Sequence, residues 1–195
     1  MSETSGGLGL PPESIERQKS VGLWYSDEET LRVRAQLRDA YTEPDGSQTV
    51  LHEYRVELWV DLPSMEVAKI DVEPLHLPYG ECFEAPGFVQ RLVGLKLERG
   101  FSGRAAELLA GEAGCTHLNS LIADLSIAGL FHGYIRMREY IRENGAIPEM
   151  PPSSERTGIC AGWQAGGTIA TWMEEGRGIA PSHIYPVPDP VRRSK

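Results

Sequence analysis

Apolar and polar residues alternate from Leu31, with Leu31, Val33, Ala35 and Leu37 set against Arg32, Arg34, Gln36 and Arg38. That period of two predicts a strand with one wet face. Pro44-Asp45-Gly46 is a turn signal. A stronger alternation follows, Tyr54, Val56, Leu58, Val60 and Leu62 against Glu53, Arg55, Glu57, Trp59 and Asp61, and Pro63-Ser64 closes it. A third run sets Ala68, Ile70 and Val72 against Lys69, Asp71 and Glu73, and ends at Pro74. Successive strands on short turns predict an antiparallel meander, because parallel pairing needs crossover segments that this stretch lacks.

Beyond Pro78 the period lengthens. Phe88, Val89, Leu92 and Val93 have helical spacing behind Pro86, and Phe101 to Ala110 predicts a second short helix. From Cys115 to about Tyr140 a long helix is expected, with Leu118, Leu121, Ile122, Leu125, Ala128, Gly129 and His132 on one face and Asn144-Gly145 as the stop. Strands first and helices after make an α+β order, an antiparallel β-meander packed on one face by helices. The expected organisation is a mobile N-terminal arm over 1–28, one α+β domain over 29–180 and a tail over 181–195. Ile159 to Trp172 reads equally as a hairpin around Gly166-Gly167 or as a short helix over Thr168–Met173.

Composition narrows the function classes. A net charge of −9 without a Lys/Arg run argues against a nucleic-acid or anionic-membrane surface. No apolar stretch is long enough to cross a bilayer, and no basic, then apolar, leader opens the chain, so a cytoplasmic protein is expected. Three cysteines, an odd count, fit reduced thiols better than a disulfide framework.

The chemistry gathers at Gly114-Cys115-Thr116-His117-Leu118. A thiol and an imidazole at a helix start meet unpaired N–H groups and the positive end of the dipole, which favour a thiolate or a bound anion. They read as a nucleophile–base pair or as two metal ligands, with plain packing of Cys115 as the structural alternative. The dipole is expected to keep His117 neutral near pH 7. Cys82 lies in the turn-rich loop after Pro78-Tyr79-Gly80-Glu81, and Cys160 precedes Trp163. Glu81, Glu84 and Glu112 are candidates to orient His117. His132 reads as a core residue with a local partner, and His52, His76 and His183 as surface.

These segments carry a resemblance. Pro78-Tyr79-x-Glu81-Cys82, then Leu92-Val93-Gly94-Leu95-Lys96-Leu97 ending in Gly100-Phe101, then Gly114 to Leu118, then Cys160-Ala161, resemble the bacterial family catalogued as domain of unknown function 2889. The likeness spans roughly Leu31 to Trp172. Ala161 stands where the family pattern leads one to expect a His or similar polar residue. The cysteine plan is also loosely similar to iron–sulfur scaffold proteins, although Phe83-Glu84 follow Cys82 where those proteins usually place an Asp.

Two readings and a blander third follow. The first is a small cytoplasmic enzyme, lyase-like and without an organic cofactor, acting by acid–base chemistry on a small, aromatic or hydroxylated molecule. His117, Cys115 and Glu81 would be its catalytic groups. Tyr79, Trp59, Trp163 and Cys82 would bind substrate in a pocket between sheet and helices, with Phe83 and Trp172 as further lining candidates. The second is a metal-binding or iron–sulfur scaffold-like protein holding a single Zn or Fe ion through Cys82, Cys115, His117 and Cys160. The third is a dimeric accessory protein without catalysis. A homodimer is expected in any case.

Overall fold

The structure, a computed structural model, describes residues 8–145 and, beyond them, 164–167, 171 and 175; of Glu81 it describes the backbone alone. The expectations placed on Cys160, Trp163, Trp172 and His183, and on Ile159 to Trp172 as a hairpin or helix, lie outside the described residues. Four strands, β1 (Ser14–Tyr25), β2 (Thr30–Thr42), β3 (Gln48–Asp61) and β4 (Glu66–His76), form an antiparallel meander in the order β1-β2-β3-β4. The α+β class read from the sequence is what the chain adopts.

The inner face of the sheet is a stack of cross-strand rows. Leu23, Val33, Leu58 and Ile70 make one, and Val21, Ala35, Val56 and Val72 the next. Tyr54, Val56, Leu58 and Val60 are all 0% exposed, as a one-sided sheet requires. A register shift between Trp59 and Val60 alters one expectation: Val60 pairs with Val67 rather than Ala68, so Val67 is buried and Ala68 exposed. The β2–β3 turn forms as read, with Gly46 at φ 83 and the Asp45 carboxylate accepting from Ser47 N at 2.9 Å.

The arm expectation is corrected in part. Residues 14–25 are a paired edge strand rather than part of a mobile arm. Their inner face carries Arg17 and Lys19 ahead of Val21, Leu23 and Tyr25, so the apolar alternation begins only halfway along the strand.

Helices α1 (Ala85–Phe88), α2 (Phe101–Leu108), α3 (Thr116–Asp124) and α4 (Ile127–Asn144) follow. The helical run from Thr116 to Asn144 is interrupted only at Leu125-Ser126. Leu92, Phe101, Leu118, Leu121 and Ile122 bury against the inner face of the sheet. The segment after Leu92 pairs along β4: Val67 N donates to Leu95 O and Leu97 N to Met65 O, both at 2.8 Å, which covers that part of the edge. Gly145, at φ 67, ends α4, and its N–H donates to Ile141 O at 2.9 Å.

The contacts divide the chain into residues 1–134 and 135–195, where the sequence suggested one domain over 29–180. In α4 only Ala128 is buried. Among the described residues no helix is long and apolar enough to cross a membrane.

Candidate functional site

The row below Leu37 and Tyr54 turns polar. Arg17 of β1 pairs with Asp39 of β2, and Asp39 with His52 of β3, so the inward parity that buries leucines higher up here brings three chemical side chains together. A register shift directly after Asp39 interrupts the ladder, which resumes at Ala40 and Val50; such shifts are a common device for re-aiming side chains. The start of α3 lies over this row and adds His117 and Cys115.

Asp39 is the hub. Arg17 donates from Nε to Oδ1 and from Nη2 to Oδ2, both at 2.7 Å, a bidentate clamp that fixes the carboxylate plane. His52 Nδ1 is 3.6 Å and His117 Nε2 3.8 Å from Oδ2. The two imidazoles stack, with centroids 3.6 Å apart and planes 22° from parallel. The other nitrogen of His117, Nδ1, faces Cys115 Sγ at 3.8 Å.

The electrostatics follow from this geometry. Burial lowers the His117 pKa from its ordinary 6.5, helped by His52 and Arg17 and opposed by Asp39. Burial also lowers His52, with Arg17 and His76 adding to it against Asp39. Burial alone would raise Asp39, but the Arg17 hydrogen bond and charge, with His117 and His52, hold its carboxyl below the usual range. Asp39 is therefore ionised and both imidazoles are neutral near pH 7. The sequence reading attributed a lowered His117 pKa to the helix dipole; here burial, His52 and Arg17 act in that direction.

Local packing delivers Cys115. A Cβ at Gly114 would sit 2.4 Å from Leu109 O and within 3.0 Å of the Asn119 amide, so only glycine fits this approach. Asn119 Nδ2 donates to Leu109 O at 2.7 Å and Arg91 to Leu108 O at 3.2 Å, which anchors the segment leading into α3. Lys19 ties α3 to β1 through Asp124 at 2.6 Å and Ser120 O at 3.2 Å.

Tyr54 closes the floor. It is 0% exposed, and its hydroxyl faces Cys115 without a hydrogen bond of normal geometry. Burial, then Cys115 and Cys82, push its pKa well above the ordinary value, so it stays protonated. A buried donor with nothing to donate to weakens the fold. Tyr54→Phe should therefore leave stability unchanged or raise it by up to about 1 kcal/mol in urea unfolding; a loss larger than that would mean the hydroxyl is bonded.

The sequence candidates divide. Cys115 and His117 meet as expected. Cys82, half-buried, acts electrostatically on Tyr54, and both described thiols are free. Trp59 is not in a sheet–helix pocket: its parity puts it on the outer face, where Arg32 lies 3.8 Å and Lys69 4.2 Å from its ring centroid. Tyr79 and Phe83 are 70% and 68% exposed. The carboxylate that faces His117 is Asp39, a place the sequence reading offered to Glu81, Glu84 or Glu112. His52, read as surface, is in the cluster, whereas His76 is exposed. His132, read as a core residue, is half-buried outside the core, with Nδ1 2.9 Å from the Tyr25 hydroxyl. Parity held the missing signal: Asp39 continues the odd-numbered face of Leu31 to Leu37, and His52 the even-numbered face of Tyr54 to Val60.

A cation is the other conceivable occupant. Asp39, His52 and His117 each offer one ligand atom within 4.8 Å of the others, against roughly 3.4 Å between ligands of a tetrahedral ion with ~2.1 Å bonds. Arg17 already holds both Asp39 oxygens and sets a positive charge beside any ion, and the imidazoles stack rather than converge.

Fold and cluster together define an α+β sheet-and-helix protein with a half-buried histidine–carboxylate–thiol site. The chain belongs to the family described as Protein of unknown function (DUF2889), whose model matches residues 15–129. The match starts earlier than Leu31, takes in Arg17 and every other residue of the cluster, and stops short of Cys160. No curated protein and no solved structure matches the chain.

Proposed function

We propose that the protein is a small enzyme that moves protons on a small hydroxylated molecule, of lyase type, with His117 as the principal acid–base group. One observation carries the reading. Asp39, clamped by Arg17, faces one nitrogen of each of two neutral imidazoles and leaves the second nitrogen of each ring as a base. A carboxylate that fixes an imidazole's tautomer and orientation while its other nitrogen works is the basis of many acid–base sites. A retro-aldol cleavage or a proton-transfer elimination needs a base that takes a proton and an acid that returns one, and a ring that has taken the proton can return it.

The test is a panel of hydroxylated aromatic and aliphatic small molecules, followed by mass spectrometry for cleavage or elimination products. Turnover that is lost in His117→Gln supports the reading; turnover unaffected by that change removes it. Metal content measured on the same protein, purified without chelator, bears on the scaffold-like alternative. Stoichiometric zinc or iron that His52→Ala abolishes would favour metal binding.

A further inference from the structure

We infer that Cys115 is the nucleophile of this site and that its target is the carbonyl carbon of a small aldehyde or ketone. The inference rests on the acid–base reading of His117 and deepens it.

Three independent features converge on the thiol. His117 is held between Asp39 and Cys115, 3.8 Å from each. With its Nε2 turned to an ionised carboxylate, the proton of the neutral ring belongs on Nε2 and the lone pair on Nδ1, facing Sγ. Cys115 is also the residue preceding α3, with extended backbone (φ −122, ψ 130), and no side chain caps the first turn of that helix. Its leading N–H groups are thus available to an oxygen that develops negative charge. Tyr54, finally, sets a fully buried, protonated hydroxyl against the thiol, with no hydrogen bond of normal geometry among the described residues. Such a donor is expensive to bury unless an acceptor arrives with the ligand.

The chemistry balances without a further reagent. The Sγ proton passes to His117 Nδ1 as the Sγ–C bond forms, and the carbonyl π pair moves onto oxygen. That oxygen accepts from the Tyr54 hydroxyl and the first-turn N–H groups. Return of the proton from His117 to the oxygen gives a neutral hemithioacetal, and the reverse sequence regenerates thiol and carbonyl. Arg17, a permanent cation that also acts electrostatically on Cys115, cannot take the proton, so the base facing Cys115 is His117.

Cys82 is the internal control: a free, half-buried thiol that also acts on Tyr54 but, among the described residues, has no imidazole bonded to it. Intact protein treated with limiting iodoacetamide at pH 7, with the Cys82 and Cys115 peptides followed by mass spectrometry, reads the two separately. Cys115 should alkylate at least about tenfold faster than Cys82, and His117→Gln and Asp39→Asn should each remove that advantage without changing the Cys82 rate. Acetaldehyde, as the carbonyl probe, should slow Cys115 reversibly and leave Cys82 alone. Equal rates at the two thiols, a Cys115 rate unmoved by both substitutions, or no protection by acetaldehyde would overturn the inference. Turnover separates the two claims. Loss in Cys115→Ala as well as His117→Gln supports both, activity kept only in Cys115→Ala removes the nucleophile and leaves the base, and activity kept in both removes both.

Discussion

His117→Gln should lose turnover by about 10²- to 10⁴-fold, the usual share of a positioned general base, while the protein stays folded. The side chain is 28% exposed and lies in the first turn of α3, where glutamine is a good helix former and nearly fills the same volume. Little stability should change, so circular dichroism and the urea midpoint serve as controls. His132→Ala should do the reverse. It removes the 2.9 Å contact to the Tyr25 hydroxyl, lowering stability by about 1 kcal/mol without touching turnover. A folded, fully active His117→Gln would mean that the imidazole beside Cys115 has no part in the chemistry.

Gly114→Ala should be the most damaging single methyl in the segment, at about 2–3 kcal/mol. The added carbon would meet Leu109 O at 2.4 Å, a backbone atom that cannot swing aside, and Asn119 that bonds the same oxygen. Relief requires moving the Leu109–Gly114 segment, and with it Cys115. Gly103→Ala is the matched comparison. Nothing lies within 4 Å of that Cβ, and Gly103 sits inside α2, so alanine there should stabilise by about 0.5–1 kcal/mol through helix propensity. Urea unfolding of the two variants side by side checks both signs; a neutral Gly114→Ala would mean that the approach is looser than the structure has it.

The sheet and its covering helices were legible because their hydrophobic period is undiluted: Tyr54 to Val60 can face a core in one way only. β1 was not, since Arg17 and Lys19 occupy inward positions and erase the alternation by which a strand is recognised. The site was half legible for a related reason. Cys115 and His117 stand out as adjacent chemistry at a helix start, whereas Asp39 and His52 lie 13 residues apart on two strands and meet only through register. Reading polar residues by strand parity as strictly as apolar ones would have found them. The same rule would have excluded Trp59, which shares its face with Glu57. No spacing rule would have named Asp39 as the carboxylate at His117, because the β-bulge and the position of α3 over the sheet set that contact.

The central claim is that His117 is neutral, because burial, His52 and Arg17 outweigh Asp39, and that facing Asp39 through Nε2 turns its working nitrogen to Cys115. A titration of the protein with ¹⁵N-labelled histidine, followed by NMR, reads charge and tautomer at each ring. Because the two rings interact, the values belong to the pair. The groups facing His117 are Asp39 from β2, His52 from β3, Arg17 from β1 and Cys115 ahead of its own helix, and their net effect with burial is a lowered pKa. Protonation is therefore delayed as pH falls, and the acid limb of any activity should lie below 6.5. The account predicts that His52 and His117 both titrate below 6.5 and that His117 carries its proton on Nε2 at pH 7.5. A His117 that is charged at pH 7, or neutral with its proton on Nδ1, would contradict it.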